Sequence, residues 1–330
     1  MYIKSIKNVD AKILVNIIVV YDMNQINRYL NGNYFVDLYE DGTKTRSADI
    51  STVTTLKPEF PDQIELKITN YCDKTCAGYD ESKATGTIAD ILHNKIISDI
   101  KPYTEVSIID CNALAHPALV KFIEDLKSKN IDVDLTVNQT HLIDDLEKFG
   151  IVLELVSKKL LRCLSVRLTD SADEKLYNLI CKKLANVIIE CHVGLTSSED
   201  IHRLANHNLS LMILGFKHQT WHSRCLYQNS KMSEDIIAQN TQNMIAELKK
   251  IQTGTDKFIA IGFDTLAAKQ LNILNPDGSC DYYIQDADEY SMFIDLANNE
   301  YAKSIYDERK PIVTKSMPIN EMFKACHNIV

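Results

Sequence analysis

From Gln63 onward the sequence alternates two periodicities, and that alternation constrains the fold more than any other feature. Six segments carry apolar residues at every second position and read as strands: Ile64–Thr69, Val106–Asp110, Asp132–Val137, Leu164–Leu168, Val187–Val193 and Leu209–Gly215. Between them apolar residues recur at helical spacing, clearest in Ile88/Ile91/Leu92/Ile96 and Leu119/Phe122/Ile123/Leu126. The second helix follows His116-Pro117, a proline suited to a first turn. Strands that alternate with helices predict a parallel sheet with crossover connections. Six units suit an open (β/α)6 arc better than a closed eight-fold barrel, with a doubly wound sheet as the alternative.

The strands are polar on one face only. Ile64, Leu66 and Ile68 alternate with Glu65, Lys67 and Thr69, and Val133, Leu135 and Val137 with Asp132, Asp134 and Thr136. Strands covered by helices on both faces are apolar throughout. One apolar and one charged face therefore predict an open barrel with a wet lumen. Two readings of that lumen stay open. It holds a polar ligand, or its charges pair with one another.

The flanks read as additions. Residues 1–60 form an α+β extension, with a β-branched run Lys12–Tyr21, a short helix Asn24–Leu30 and a hairpin Tyr34–Thr45 turning at Asp41-Gly42. Residues 61–232 carry the barrel. Residues 233–330 make a C-terminal appendage: an amphipathic helix Ser233–Ile251 with Ile236, Ile237, Met244, Ile245 and Leu248 inward, a strand Phe258–Phe263, and hairpins near Asp277-Gly278 and Ala297-Asn298-Asn299. The longest apolar run, Ile13–Tyr21, is broken by Asn16 and is half a membrane span, so a cytoplasmic protein is expected. A net charge of −9 argues against general nucleic-acid binding and leaves a local basic patch as the alternative. Nine scattered cysteines imply thiols rather than a disulfide framework.

One stretch carries more chemistry than the rest: Ile64-Glu-Leu-Lys-Ile-Thr-Asn-Tyr-Cys72-Asp-Lys-Thr-Cys76-Ala-Gly-Tyr79. A strand runs into a loop with two cysteines spaced C-x3-C. This resembles the radical SAM superfamily, whose first barrel strand is followed by C-x3-C-x2-C. There three thiolates hold three irons of a 4Fe-4S cluster, and the fourth iron is open to S-adenosylmethionine. The match is similar to a subset encoded by bacteria and their phages. His116-Pro117, Thr136-Val-Asn-Gln139, Leu214-Gly-Phe-Lys217, Phe263-Asp-Thr-Leu-Ala267, Met292-Phe-Ile-Asp295 and Glu300-Tyr-Ala-Lys303 look like the same subset. The resemblance implies an α/β fold, a partial (β/α)6 TIM-like barrel of radical SAM type with N- and C-terminal α+β additions.

The chain departs from that pattern where the chemistry lies. Tyr79 stands in the place of the third cysteine, and the neighbouring Asp80-Glu81 offers oxygen donors that suit iron–sulfur clusters poorly. Asp110-Cys111-Asn112 replaces the glycine pair at the end of the second strand, where side chains crowd the cosubstrate. There are only ten glycines in 330 residues, less than half the ~7% of ordinary domains. His218-Gln219-Thr220-Trp221 replaces a small, basic stretch after the sixth strand. Two separate losses point to a pseudoenzyme: a cytoplasmic binding protein of bacterial or phage origin, with no cofactor. Its expected partner is a protein or a small polar ligand in the lumen. The alternatives are an active enzyme, with a 4Fe-4S cluster and S-adenosylmethionine, modifying a nucleotide, RNA or peptide, and a zinc-binding scaffold.

The candidate metal ligands are Cys72, Cys76 and Cys111, the last at the strand-end rim where barrels place their active sites. Cys111 is a substitute ligand or a small buried residue. Cys191 and His192 are further donors for zinc, but alternation points them to opposite faces. The resemblance implies a cosubstrate-binding set of Asp110, Asn112, Asn138, Arg167, Asp170, Gly194 and Gly215. For Arg167 the alternative is an ion pair with Glu65 or Asp134, and for Asn138 and Gln139 it is capping of a helix.

Overall fold

The computed structural model describes residues 24–39, 44–49, 53, 55–72, 86–109, 112–143, 145–168, 171–182, 184, 186–216, 233–254, 257–274, 283–285, 289–305, 307–314 and 317–328. The chain divides into two compact units, Met1–Pro61 and Asp62–Val330.

The first unit is an antiparallel sheet of β1 (Gln25–Asn31), β2 (Tyr34–Tyr39) and β3 (Lys44–Ser47), in that order. The helix expected over Asn24–Leu30 is β1. Its register partner is β2, with Asn31 opposite Tyr34, so Gly32 and Asn33 form a two-residue loop. Gly32 has φ +62, and a Cβ there would lie 1.9 Å from the Lys57 carbonyl oxygen. A tight hairpin needs that positive φ at its first loop residue, and the Gly32-Asn33 dipeptide carries its signal in the sequence. Tyr34, Val36, Leu38 and Phe60 fill the unit's core. The expected hairpin of β2 with β3 is present, with Leu38 opposite Lys44. Lys12–Tyr21 and the Asp41-Gly42 turn lie outside the described residues.

The second unit is built on one sheet of eleven strands. The six expected strands form as β4 (Gln63–Lys67), β5 (Glu105–Ile109), β6 (Asp132–Asn138), β7 (Cys163–Arg167), β8 (Val187–His192) and β9 (Ser210–Leu214). Each pairs in parallel with the next. The segment expected at Phe258–Phe263 forms as β10 (Ile261–Asp264), which continues the parallel sheet beyond β9, and β11 (Tyr283–Gln285) follows it. At the other edge β12 (Ser291–Asp295) pairs in parallel with β4, and β13 (Glu300–Ala302) and β14 (Lys310–Pro311) add antiparallel strands. The turn from β12 to β13 falls at the expected Asn298-Asn299, with Asn299 at φ +57. The turn at Asp277-Gly278 lies outside the described residues.

Nine helices are used below: α1 (Lys95–Ser98), α2 (Leu119–Ser128), α3 (Gln139–Ile143), α4 (Leu146–Ser157), α5 (Glu174–Cys181), α6 (Ser198–Leu204), α7 (Glu234–Thr253), α8 (Thr265–Gln270) and α9 (Ile319–His327). Side chains of Asp145, Asp173, Ser197, Ser233 and Asp264 accept N-terminal amides of α4 to α8, each worth about 1 kcal/mol. The helix expected on Ile88/Ile91/Leu92/Ile96 is a single turn, α1, because Asn94 caps it late and Ile88 bridges Thr69 instead. α7 matches the expected helix and buries Met244 and Leu248, but Ile236 is exposed. The apolar strand positions Ile64, Leu66, Val106, Ile108, Val133, Leu135, Leu164 and Val166 are sealed off from solvent. That sealed side is the core, and the polar side is the lumen.

Candidate functional site

The loop after β4 is held by its stems. Asn70 N–H donates to Thr87 O at 2.9 Å, and Ala89 N–H to Ile68 O at 3.0 Å. The Thr69 hydroxyl donates to Thr87 O and accepts from Tyr71 N–H at 2.8 Å. A Cβ on Gly86 would lie 2.4 Å from the Asn70 carbonyl, so this crossing demands glycine. His116 fixes the same segment. Its Nδ1 accepts from Ala118 N–H, which leaves Nε2 as the donor to Ala89 O at 2.9 Å.

From this clamp Cys72 points inward. Its thiol is buried and lies 3.7 Å from Nε2 of His141, a wholly buried residue on α3 directly beyond β6. Cys76, Tyr79 and Cys111 lie outside the described residues, as do Asp110, Asp170 and residues 217–232. The outer flank of the loop is tied down by Asp295 at the end of β12. Its buried carboxylate accepts from Lys67 Nζ at 3.0 Å and from the backbone and side-chain amides of Asn298. Asn298 Oδ1 in turn accepts from Asn70 at 2.8 Å. A chain of polar contacts thus runs from the β12–β13 turn to the residue two before Cys72.

On the polar face the charges pair. Cross-strand register sets Asn138, Arg167, Glu190 and Met212 side by side on β6 to β9. The Arg167 guanidinium donates to Glu190 at 2.9 and 3.1 Å, and the Thr136 hydroxyl donates to the other oxygen. The partner expected for Arg167 was Glu65 or Asp134; the strand order puts β8 beside it, so it is Glu190. Toward the opposite end of the strands Arg162 bonds to both oxygens of Asp134 and approaches Glu105 at 2.6 Å. Two carboxylates share one guanidinium there. Burial, then repulsion from Glu105, pushes Asp134 up to about 7, against the pull of Arg162.

Other expected site residues have packing roles. Gly194, at φ +77, lets the chain approach α7, where a Cβ would lie 2.6 Å from Ile237. Its carbonyl accepts from Asn240. Gly215 packs on Leu266 of α8 and donates its N–H to Asp264. Gln139 ties down the start of α5, accepting from Tyr177 and Asp173 and donating to Ser171 O. Asn112 is buried ahead of a 3-10 turn at Ala113–Ala115. Cys191 is wholly buried, and desolvation pushes its thiol up to about 12. His192 is pushed down to about 3 by burial and then by Arg167, so it is neutral at physiological pH. Among the described residues no group of three metal-ligating side chains occurs.

His141 and Glu190 are the residues the sequence reading passed over, and Asp295 entered it only as the end of the Met292–Asp295 stretch. Glu190 had a signal, since it holds a lumen position on a strand next to that of Arg167. His141 had a weaker one, three residues past Asn138 at a strand-end rim.

A parallel arc with its sealed core on one side, its charges on the other and its loops at the strand ends is a partial TIM-like barrel. No protein-family model and no curated protein sequence matches the chain. Among solved structures the fold is similar to Streptococcus suis SuiB. With the precursor peptide SuiA bound, SuiB gives a TM-score of 0.55 at 12% identity, over 81% of this chain and 65% of that one. Bound to S-adenosylmethionine it gives 0.55 at 12% identity, over 81% and 68%, and alone 0.55 at 11%, over 92% and 87%. This chain thus spans about two thirds of the length of the peptide-bound SuiB chain. No described helix is long and apolar enough to cross a membrane.

Proposed function

We propose that the chain is a radical SAM-type barrel that has lost radical chemistry and serves as a cytoplasmic binding protein of bacterial or phage origin. The observation that carries this reading is the donor set at the loop after β4. A 4Fe-4S cluster open to S-adenosylmethionine asks for thiolates on three separate irons. This chain supplies Cys72, Cys76 and then the phenol of Tyr79. The Cys72 thiol is hydrogen-bonded to the His141 imidazole at 3.7 Å. These donors do not fit the cluster.

The lumen supports a ligand of limited charge. Lys67, Arg162 and Arg167 each face a carboxylate, so an incoming anion gains little there. A neutral or zwitterionic polar ligand, or a partner protein laid over the strand ends, suits this surface better. The test is anaerobic reconstitution with iron and sulfide. The expected product is colourless and silent in electron paramagnetic resonance. A brown protein whose reduced signal shifts with S-adenosylmethionine, and which releases 5′-deoxyadenosine, overturns the proposal.

A further inference from the structure

We propose that two copies of this chain associate through the outer face of α4, antiparallel about a two-fold axis near Gly150. The inference concerns the outside of the barrel and stands whether or not the lumen holds a ligand. It begins with a helix that is apolar on both sides. α4 turns Val152 and Leu155 into the core, where they are at most 1% exposed. At about 3.6 residues per turn, Leu146, Gly150, Leu153 and Ser157 fall on the opposite side. Leu146 is 85% exposed, the most of any large apolar side chain among the described residues, and Ile143 just ahead of it is 42% exposed. The outer faces of other barrel helices carry ion pairs instead, Lys121 with Asp125 on α2 and Arg203 with Glu199 on α6. A helix that is apolar all round belongs in a covered setting, and the solvent-facing Leu146 leaves one side of α4 to a partner.

The face fits itself. Leu153, Glu154, Val156 and Ser157 line a hollow of about 460 Å³. Its centre lies about nine residues, or roughly 13 Å, along the same helical line from Leu146. A knob and a hollow in line on one helix engage a copy running the other way. Leu146 of each chain then enters the hollow of the other, the reciprocity of a two-fold interface. Gly150 falls between knob and hollow, where the two helices cross. A Cβ built on it meets nothing within 4 Å, so the packing of this chain does not demand glycine there, and mid-helix glycine weakens α4. Across the axis it lets two backbones approach closely.

Charge agrees with the antiparallel sense. α4 begins at Asp145 and Glu147 and ends at Lys158 and Lys159. Each acidic start then lies toward the basic end of the other copy, and the helix dipoles oppose. Parallel packing sets like ends together. Glu154, at the edge of the hollow, is already held by Lys158 at 2.8 Å.

The experiment is sedimentation velocity on the full chain, over a dilution series that reaches high-micromolar protein. The wild type is expected to run at twice its 37.5 kDa mass at the concentrated end and to dissociate on dilution. Leu146→Glu alters a side chain outside the core and weakens dimerisation about a hundredfold or more, because a two-fold contact counts each substitution twice. Gly150→Gln also weakens it but raises the melting temperature of the monomer, since glutamine favours helix; damage to the fold lowers both readouts together. Gly150→Cys, oxidised with a copper catalyst, gives a disulfide-linked dimer that the wild type does not. Leu179→Cys on α5, 41% exposed before substitution, gives none. A wild type that stays monomeric throughout, a dimer that Leu146→Glu or Gly150→Gln leaves intact, or a Gly150→Cys chain that does not cross-link overturns the interface.

Discussion

At the scale of single residues the lumen is an electrostatic balance, and removing one member at a time tests it. Arg167 and Glu190 are both largely buried, with side-chain exposures of 11% and 13%. Removing one partner strands the other, and we expect Arg167→Met or Glu190→Leu to lower stability by about 2 kcal/mol or more, short of the roughly 3–5 of a fully buried pair. The double variant is expected to cost less than either single change, because no charge is left unpaired. Chemical denaturation of the three variants gives the cycle; additive losses refute the pairing. Asp134 makes a prediction of opposite sense. Its folded pKa lies near 7 against an ordinary 3.8, because burial and Glu105 disfavour its charge. The folded state therefore binds a proton that the unfolded state has released. Stability from this group is complete below pH ~4 and is lost as pH rises through ~7. Asp134→Asn should flatten that decline between pH 4 and 7, and a stability curve of unchanged slope refutes the assignment.

At the scale of elements, the loop after β4 depends on its neighbours. Asp295 accepts from Lys67 and Asn298, and Asn298 reaches Asn70. Asp295→Ala leaves the Lys67 ammonium without its carboxylate and is expected to cost about 1–3 kcal/mol. It should also loosen the approach to Cys72, so that alkylation of Cys72 in the native protein, followed peptide by peptide in a mass spectrometer, becomes faster. Equal labelling in variant and wild type refutes the link. How far the sequence revealed these elements follows from what kind of contact makes each. β4 to β9 were legible because apolar residues hold every second position in each, and on β4, β6 and β7 polar residues alternate with them. β1 was misread because Ile26, Tyr29 and Leu30 also fit a helical turn, while the decisive Gly32-Asn33 loop acts through the pairing partner. The Ile88 helix failed because its first residues bridge Thr69. The contact of Cys72 with His141 spans 69 positions and exists only because β4, β5 and β6 lie side by side. No local pattern encodes such a contact.

At the scale of the whole second unit, the end of the chain is part of the barrel sheet rather than an ornament on it. β12 pairs with β4 over five residues, from Ser291 opposite Gln63 to Asp295 opposite Lys67. The last parallel strand in the sequence therefore covers the edge of the first. Met292, Phe293 and Ile294 on β12 and Met322 and Phe323 on α9 are at most 2% exposed. At roughly 1.5–3 kcal/mol for each buried side chain, these five contribute about as much as the entire 5–15 kcal/mol by which a domain of this kind is stable. Deleting residues 289–330 removes them and leaves the polar backbone of β4 as an open edge, a template for aggregation. The truncated chain is expected to be insoluble, or to bind a hydrophobic dye and melt without cooperativity. The opposite substitution supplies the control. Val313, 75% exposed, should accept Val313→Ser with a melting temperature close to that of the wild type. A truncated protein that melts cooperatively near the full-length temperature would show that β4 to β10 form a self-sufficient sheet and that β12 only decorates its edge.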